Sequence, residues 1–443
     1  MRTKTRDTRQ YGYQYVSGLL RMETQRTMTE IGRQTGMAGQ NVQHFMSNST
    51  WSGMTLIDAV QGEVRHHPEF QDEAIVVFDE SADAKAGKVT AGAGRQYNGR
   101  LGKVEMSQVG VFASLVTPRV NLWIDGELFL PKDWFESENA EQSQRVGVPK
   151  ERTFRTKPQL AWTIMQRLQA NRIPFKAVTM DDLYGRNAVL RQCLQEAGIE
   201  YYGDVPATTV VYLSKPQVIY EKSRRSKKDK RVIVADQRRE VRDLVTSSDL
   251  ERATLTLRPS ERGMLQGEFA RCRVWVLYED TPRQEWLLIR RSAKQTTYVL
   301  SNAHPDTSLA TMAWRKSHRY FIERSNQDAK SELGWDEFQA TKYQAWQHQL
   351  ALTILASWFV AETRLDWLAR FSRDPDLLAH YETDVLPLLS VANVRELLRA
   401  AMPLPQLTTQ QAIDLVIEHL VNRTRSRRSR LRKLAPTQPT VPG

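Results

Sequence analysis

Three acidic residues stand at positions from which they could hold divalent metal ions. Asp79 ends the apolar run at 75–78, Asp181 follows the run at 175–180, and Glu323 lies at the start of a long helical pattern. Two buried strands that each end in Asp, with a helix that presents Glu, can build a two-metal site for phosphoryl transfer, with the ions about 3.5–4 Å apart. Mg²⁺ takes such oxygen ligands. The alternative is that a strand-end Asp is only a common turn former.

The apolar pattern predicts the elements that would position these residues. The order is strand, strand, strand, helix, strand, helix, strand, for the segments 75–78, 108–116, 119–125, 158–172, 175–180, 187–197 and 199–202. This order matches the RNase H-like fold, a mixed sheet flanked by helices in which the first and fourth strands lie side by side. Asp79 and Asp181 would then end neighbouring strands.

The remaining segments give the domain organisation. We predict an α/β protein whose RNase H-like catalytic core is interrupted by a β-rich insertion subdomain and flanked by helical N-terminal and C-terminal regions. The expected boundaries are 1–70 for the helical DNA-binding domain, 71–204 and 302–370 for the two parts of the core, 205–301 for the insertion, and 371–443 for the helical C-terminal region with its basic tail.

A helix-turn-helix shape is predicted at 29–45. Ile31, Val42 and Phe45 could form its small core, and Gly36 sits where the tight turn favours positive φ. Four polar residues would then face outward as base or phosphate contacts: Gln40, Asn41, Gln43 and His44. Many helical hairpins share this shape, so a purely structural interpretation remains open.

The charge of the chain favours a polyanionic partner. The 443 residues carry a net charge of +12 and the pI is about 9.6, and neutralising phosphates releases counterions. Two basic clusters are the candidate contacts, with Arg224, Arg225, Lys227 and Lys228 in one and Arg427 and Arg428 in the other. Neither has the apolar face suited to a bilayer, and a solvated flexible run is the alternative. With no membrane-spanning run, we expect a soluble intracellular protein.

Several short motifs together resemble those of the DDE transposases of bacterial insertion sequences, in the branch with a β-rich insertion before the glutamate. They are FDES at 78–81, RQYNG at 95–99, GK at 102–103, QVGV at 108–111, FRTKP at 154–158, DDLYG at 181–185, IE at 322–323 and AKSELGWD at 329–336. The resemblance extends over most of the chain, from about 10 to 420.

The resemblance implies a set of site residues. Asp79, Asp181 and Glu323 would be the catalytic carboxylates and would bind two Mg²⁺ or Mn²⁺ ions; the family spacing selects Asp181 over its neighbour Asp182. Arg319 and Lys330 match the family's phosphate-contacting cations, and on one continuous helix they would share a face with Glu323. Where the family often has tyrosine, Lys316 stands instead.

Other residues receive weaker expectations from the same resemblance. Arg95 and Lys103, also expected to contact DNA phosphate, lie in a structured loop between the first two strands. Trp275 and Trp286 of the insertion are candidates for stacking a flipped DNA base, although core packing is the better interpretation for each.

The expected function is that of a DNA transposase. It would bind terminal inverted repeats, cleave double-stranded DNA, join the freed end to target DNA, and work as a synaptic homodimer. One alternative is an RNase H-like nuclease or resolvase without strand transfer. The other is a domesticated DNA-binding protein that has lost its chemistry.

Overall fold

The computed structural model describes residues 1, 7–99, 102–222, 230–235, 237–260, 263–292, 295–404 and 408–434. The chain begins with helices, as predicted. They are α1 (Arg9–Arg21), α2 (Met28–Gln34), α3 (Gly39–Ser47) and α4 (Gly53–His66). Gly36 has a φ of 73° in the turn between α2 and α3. Ile31, Val42 and Phe45 are buried between these helices. The predicted helix-turn-helix shape is therefore present.

The central sheet is built around two parallel strands that are far apart in sequence. The strands and helices of this part are β1 (Ile75–Ala84), β2 (Gly94–Asn98), β3 (Lys103–Val116), β4 (Asn121–Phe129), α5 (Ala140–Arg145), α6 (Lys157–Ala170), β5 (Ala177–Met180), α7 (Asp182–Gly185), α8 (Ala188–Glu196) and β6 (Tyr201–Val205). β1 pairs in parallel with β5 and in antiparallel orientation with β3, and β5 pairs in parallel with β6. The expected neighbourhood of the first and fourth predicted strands is confirmed.

β1 is longer than the sequence predicted. Its parallel ladder with β5 stops at the pair Phe78 and Met180. Its antiparallel ladder with β3 continues through Asp79 to the pair Ala84 and Ser107. Asp79 therefore lies inside β1, at the point where the strand loses its partner on the β5 side and opens one edge.

The β-rich segment that follows extends the same sheet. Its strands are β7 (Val210–Tyr212), β8 (Gln217–Glu221), β9 (Lys230–Val234), β10 (Arg238–Glu240), β11 (Glu251–Ser260), β12 (Gly263–Tyr278), β13 (Thr281–Arg291) and β14 (Thr296–Ser301). β14 pairs with β6 in antiparallel orientation, and β13, β12, β7 and β10 continue outward from it. β8 and β9 form a separate hairpin. The central strands and this segment therefore share one mixed sheet.

Helices complete the chain, and the helical pattern around Glu323 is interrupted. The helices are α9 (Leu309–Ser317), α10 (Tyr320–Gln327), α11 (Tyr343–Phe371), α12 (Pro375–His380), α13 (Val391–Ala401) and α14 (Thr409–Leu434). A π-helical turn at Asp328–Glu332 follows α10. The predicted single helix is thus divided at His318 and Arg319 and again after Gln327. The expectation of one continuous helix through Arg319, Glu323 and Lys330 is therefore wrong, because a π turn, which changes the helical phase, contains Lys330. Arg319 and Glu323 still share a face and pair at 3.0 Å.

The N-terminal helices and the central sheet share one hydrophobic core. α11 packs against α4, α1, α3 and β4, and its buried residues join those of the N-terminal helices and β4. The buried Tyr15 hydroxyl of α1 donates to Gln349 of α11 at 2.7 Å, and His348 stacks on Trp51 with ring centroids 3.8 Å apart. α11 therefore connects the predicted DNA-binding helices to the sheet. Among the helices of the described ranges, none combines the length and apolar character needed to cross a bilayer.

Candidate active site

Asp79 and Asp181 lie at the point where the parallel ladder between β1 and β5 stops. They directly follow the paired residues Phe78 and Met180. Asp181 is fixed as the N-cap of α7, where its Oδ1 accepts hydrogen bonds from the backbone N–H groups of Leu183 at 3.0 Å and Tyr184 at 3.4 Å. The strand pairing and the cap together place two carboxylates at one edge of the sheet.

The electrostatic surroundings of this pair disfavour negative charge. Burial, followed by the nearby carboxylate of Glu80 and the weaker effect of Asp181, raises the pKa of Asp79 to about 7, although Arg319 opposes the shift. Burial and then Glu80 also raise the pKa of Asp181, again against Arg319. A positive charge between such groups would stabilise their ionised forms. The pair therefore has the donor chemistry and the charge deficit of a cation site.

The carboxylate of Glu80 lies near both Asp79 and Asp181. Its own contacts come from residues of two of the sequence motifs. Its Oε1 accepts from the ammonium of Lys157 at 3.0 Å. Lys157 is held at the first position of α6 by a capping box between Thr156 and Gln159. The fully buried hydroxyl of Tyr184 lies close to Glu80, and burial together with that carboxylate raises the pKa of Tyr184. The FRTKP and DDLYG motifs thus each supply a side chain, Lys157 and Tyr184, that lies beside Glu80 next to Asp79.

Glu323 is connected to the two aspartates through Arg319. It lies on α10 with 58% of its side chain exposed, and its Oε1 accepts from Arg319 at 3.0 Å. The charge of Arg319 in turn acts on Asp79 and Asp181. Within the described ranges, no three His, Cys, Asp or Glu side chains are already grouped as metal ligands. Asn326, one turn beyond Glu323, approaches Asp79 instead, with Nδ2 at 3.5 Å from Oδ2.

Lys330 contacts β1 and is not among the residues that line a cavity of about 230 Å³ beside Glu323. Its ammonium donates to the carbonyl of Ala82 at 2.7 Å and lies 3.1 Å from Asp83 Oδ1. Trp335 donates to the other oxygen of Asp83 at 2.7 Å. Lys330 therefore fastens the π turn to the far end of β1, which gives it a structural role beside the predicted phosphate contact.

The other predicted contacts are exposed but lie on separate parts of the molecule. Arg95 and Lys103 lie on the hairpin of β2 and β3, with Lys103 at 3.7 Å from Glu105. Two further groups are exposed, on α3 and on α14: Gln40, Asn41, Gln43 and His44, and Arg427 and Arg428. Arg224, Arg225, Lys227 and Lys228 lie outside the described residues.

The two tryptophans of the β-rich segment are engaged by cationic side chains. The guanidinium carbons of Arg271 and Arg273 lie 4.2 Å and 4.7 Å from the ring centroid of Trp286. The ammonium of Lys215 lies 5.7 Å from the ring centroid of Trp275. Both tryptophans are partly buried, and each packs against cations rather than lining the cavity beside Glu323.

The sequence interpretation missed two residues at this edge, Asp204 and Lys316. Asp204 is on β6, whose Gly203 pairs with Met180, so it lies one strand further along from Asp181. Lys316, noted only as a departure from the family motif, lies 2.8 Å from Asp204 through its ammonium. The strand-end rule that selected Asp79 and Asp181 could have found Asp204, because Asp204 stands two residues after the strand predicted at 199–202.

Comparison with known proteins gives two matches. The family model described as DDE superfamily endonuclease matches residues 2–263, a range that includes Asp79 and Asp181 and ends before Glu323. A relative from Microchaete diplosiphon, the probable transposase for insertion sequence element IS701, is 24% identical over 333 residues, which cover 72% of this chain and 73% of the relative.

Proposed function

The chain belongs to the DDE superfamily of endonucleases, whose family model covers more than half of it, and from this premise we propose that it is a DNA transposase of a bacterial insertion sequence. The observation that carries the proposal is the pair Asp79 and Asp181, two crowded carboxylates that directly follow the last paired residues of the parallel β1–β5 ladder. The similarity to the IS701 relative, which is described as a probable transposase, favours this function over that of another nuclease.

In this proposal the central strands form an RNase H-like catalytic core. The core comprises 71–204 and 302–370, the β-rich segment at 205–301 is an insertion into it, and 371–443 is a helical C-terminal region. The helices before residue 71 bind the inverted repeats, with the exposed face of α3 toward DNA. The exposed arginines of α14 add phosphate contacts.

The residues present fit a divalent metal ion. Endonucleases of this superfamily generally use such ions, and Mg²⁺ or Mn²⁺ can be held by one or two carboxylates together with substrate phosphates and water. Asp79 and Asp181 supply two oxygen donors whose ionisation a cation would favour. Glu323 is exposed enough to turn from Arg319 toward them and complete the set. Two bound ions would activate the attacking oxygen and stabilise the leaving oxygen.

The chain's own residues then position the DNA. Asp181 is fixed by its two backbone hydrogen bonds. Arg319, released from Glu323, binds a phosphate oxygen near the cut, and Lys157 keeps Glu80 from adding an unpaired negative charge. Because positioning and electrostatics lower the barrier, cleavage and joining need no covalent enzyme intermediate.

Strand transfer requires two element ends, and we infer a homodimer that holds both in one synaptic complex. It would act in the cytoplasm, at the bacterial nucleoid. Double-stranded DNA is the substrate in both roles, as the inverted repeat and as the target.

The test uses purified protein, Mg²⁺ and labelled DNA that ends in the inverted repeat flanking the gene. Asp79→Asn, Asp181→Asn and Glu323→Gln should each abolish cleavage while leaving binding intact. Asp182→Asn is the matched control, because Asp182 is exposed and pairs with Arg186 at 3.1 Å, so this variant should cleave normally. Cleavage by Asp181→Asn at the wild-type rate would refute the site.

The same reaction separates the alternatives. Joining of the cleaved end to a target plasmid is expected of a transposase. Cleavage without joining would identify a nuclease or resolvase, and binding without cleavage would identify a DNA-binding protein that has lost its chemistry.

A further inference from the structure

Asp204 is a further carboxylate at the edge of the sheet where Asp79 and Asp181 lie. It is on β6, one strand beyond β5, and it pairs across the sheet with Val299 of β14. Its Oδ1 lies 2.8 Å from the ammonium of Lys316, and its Oδ2 lies 3.7 Å from Nε of Arg319. One carboxylate thus holds two cations that come from the α9–α10 segment.

The backbone that carries Asp204 is held firmly by a glycine contact. α7 packs so closely on β6 that a Cβ at Gly185 would lie 2.1 Å from the carbonyl oxygen of Asp204. The Cα of Gly185 lies 2.8 Å from the position of a Cβ on Gly203. Because Asp181 is the N-cap of α7, this packing fixes Asp204 relative to the candidate metal-binding carboxylates.

The two cations lie near Asp181 and line a cavity together with Glu323. Lys316 Nζ is 3.5 Å from the carbonyl oxygen of Met180, the residue before Asp181. Arg319 bonds Glu323. With Asp204 they line a cavity of about 230 Å³, which Phe269 and Tyr320 also line. Only 12% of the Lys316 side chain is exposed, so its ammonium is held at the cavity and cannot turn out into solvent.

We propose that Asp204 is a positioning residue, which holds Lys316 and Arg319 at the cavity so that both cations contact a backbone phosphate of the bound DNA strand. Two like charges this close repel each other, and burial adds to the cost, so the shared carboxylate is what keeps them together. An ammonium and a guanidinium on one phosphate form charge-assisted hydrogen bonds. The proposal rests on the proposed function, since it requires DNA in the site.

The test compares full-length Lys316→Met, Lys316→Arg, Asp204→Asn and the double variant Asp204→Asn with Lys316→Met. Binding to the inverted-repeat duplex is measured against salt concentration in EDTA, where no cleavage occurs, and cleavage is measured separately in Mg²⁺. Thermal unfolding of each variant reports folding. Arg370→Met is the control for loss of one positive charge, because Arg370 is an exposed partner of Asp366 on α11.

Lys316→Met should reduce the slope of log affinity against log salt by about 0.9, the value for one phosphate contact, while Lys316→Arg and Arg370→Met keep the wild-type slope. The double variant should keep the reduced slope, because the contact itself is lost. Wild-type slope and cleavage in the double variant would overturn the proposal, since Lys316 would then serve only to neutralise Asp204. An unchanged slope in Lys316→Met would also overturn it.

Asp204→Asn should keep the slope, because both cations remain, but reduce the cleavage rate at saturating DNA by about tenfold or more, the equivalent of one charge-assisted hydrogen bond. A wild-type rate would refute the positioning role. A wild-type protein that neither binds nor cleaves the duplex would instead refute the proposed function, so the two failures are distinguishable.

Discussion

A single added methyl group at Gly185 should disrupt catalysis through the backbone. Gly185 ends α7, the short helix that Asp181 caps. A Cβ at this position would lie 2.1 Å from the carbonyl oxygen of Asp204 and 2.6 Å from its backbone nitrogen. Both neighbours are backbone atoms of β6, so no side chain can rotate away. The methyl group of Gly185→Ala can be accommodated only if α7 and β6 move apart.

The size of that movement follows from the contact. Ordinary van der Waals contact begins near 3.4 Å, so a contact of 2.1 Å must open by more than 1 Å. Overpacking of this kind typically costs about 1–3 kcal/mol of stability. Displacement of a catalytic group by about 1 Å can reduce the rate about 10²-fold. Because Asp181 moves with α7, we expect the loss of cleavage to exceed the loss of stability.

The assay is DNA cleavage in Mg²⁺ beside thermal unfolding, with Gly62→Ala as the matched control. Gly62 lies inside α4, and a Cβ there would meet nothing within 4 Å, so the change should stabilise the helix by up to about 1 kcal/mol and leave cleavage intact. If Gly185→Ala cleaved at the wild-type rate and melted like Gly62→Ala, the close packing of α7 on β6 would have no role in placing Asp181.

Two further predictions concern stability. Arg26 is only 3% exposed and donates to Glu337 and to the carbonyls of residues 331 and 332. Arg26→Met should therefore lower the free energy of unfolding of the protein by about 3–5 kcal/mol. The control is Arg399, whose side chain is 33% exposed and pairs with the exposed Glu23 at 2.9 Å. Arg399→Met should lower the free energy of unfolding by at most about 1 kcal/mol, and equal losses for the two variants in urea unfolding would contradict this. Burial raises the pKa of Asp328 from 3.8 to about 6, so the folded state binds this proton more tightly and stability falls as pH rises through that range. In Asp328→Asn the free energy of unfolding should fall by up to about 3 kcal/mol less between about pH 4 and 6 than it does in the wild type. A variant with the wild-type pH profile of unfolding would refute this prediction.

The sequence located the aspartates because the signals that place them are local. The apolar run before Asp79 predicts a buried strand, and the run before Asp181 predicts another. The order of the predicted elements indicated that these two strands lie side by side, and the β1–β5 ladder agrees with this prediction. The length of β1 could not be predicted in the same way, because it depends on β3, which continues the ladder past Asp79.

The break in the helix before Glu323 was not predictable from composition. No proline or glycine interrupts the segment from 314 to 333. The tertiary structure divides it instead, since Lys316 is drawn to Asp204 and Lys330 to Ala82 and Asp83. Side-chain bonds to two different strands thus outweigh a continuous helical pattern. The joining of the β-rich segment to the central sheet through β14 and β6 is equally a long-range event.

An Asp at the end of a buried strand is by itself a weak indication of a metal site, and the balance of charge around Asp79 and Asp181 explains why. Burial raises the pKa of both Asp79 and Asp181, and Arg319 opposes the shift at each. Arg319 also pairs with Glu323 and lies near Asp204, so one guanidinium is shared among four carboxylates. Lys316 relieves that shortage at Asp204, and a divalent ion would relieve it at Asp79 and Asp181 by the same electrostatic argument. Strand-end aspartates therefore indicate chemistry when the facing helix brings too few cations to neutralise them.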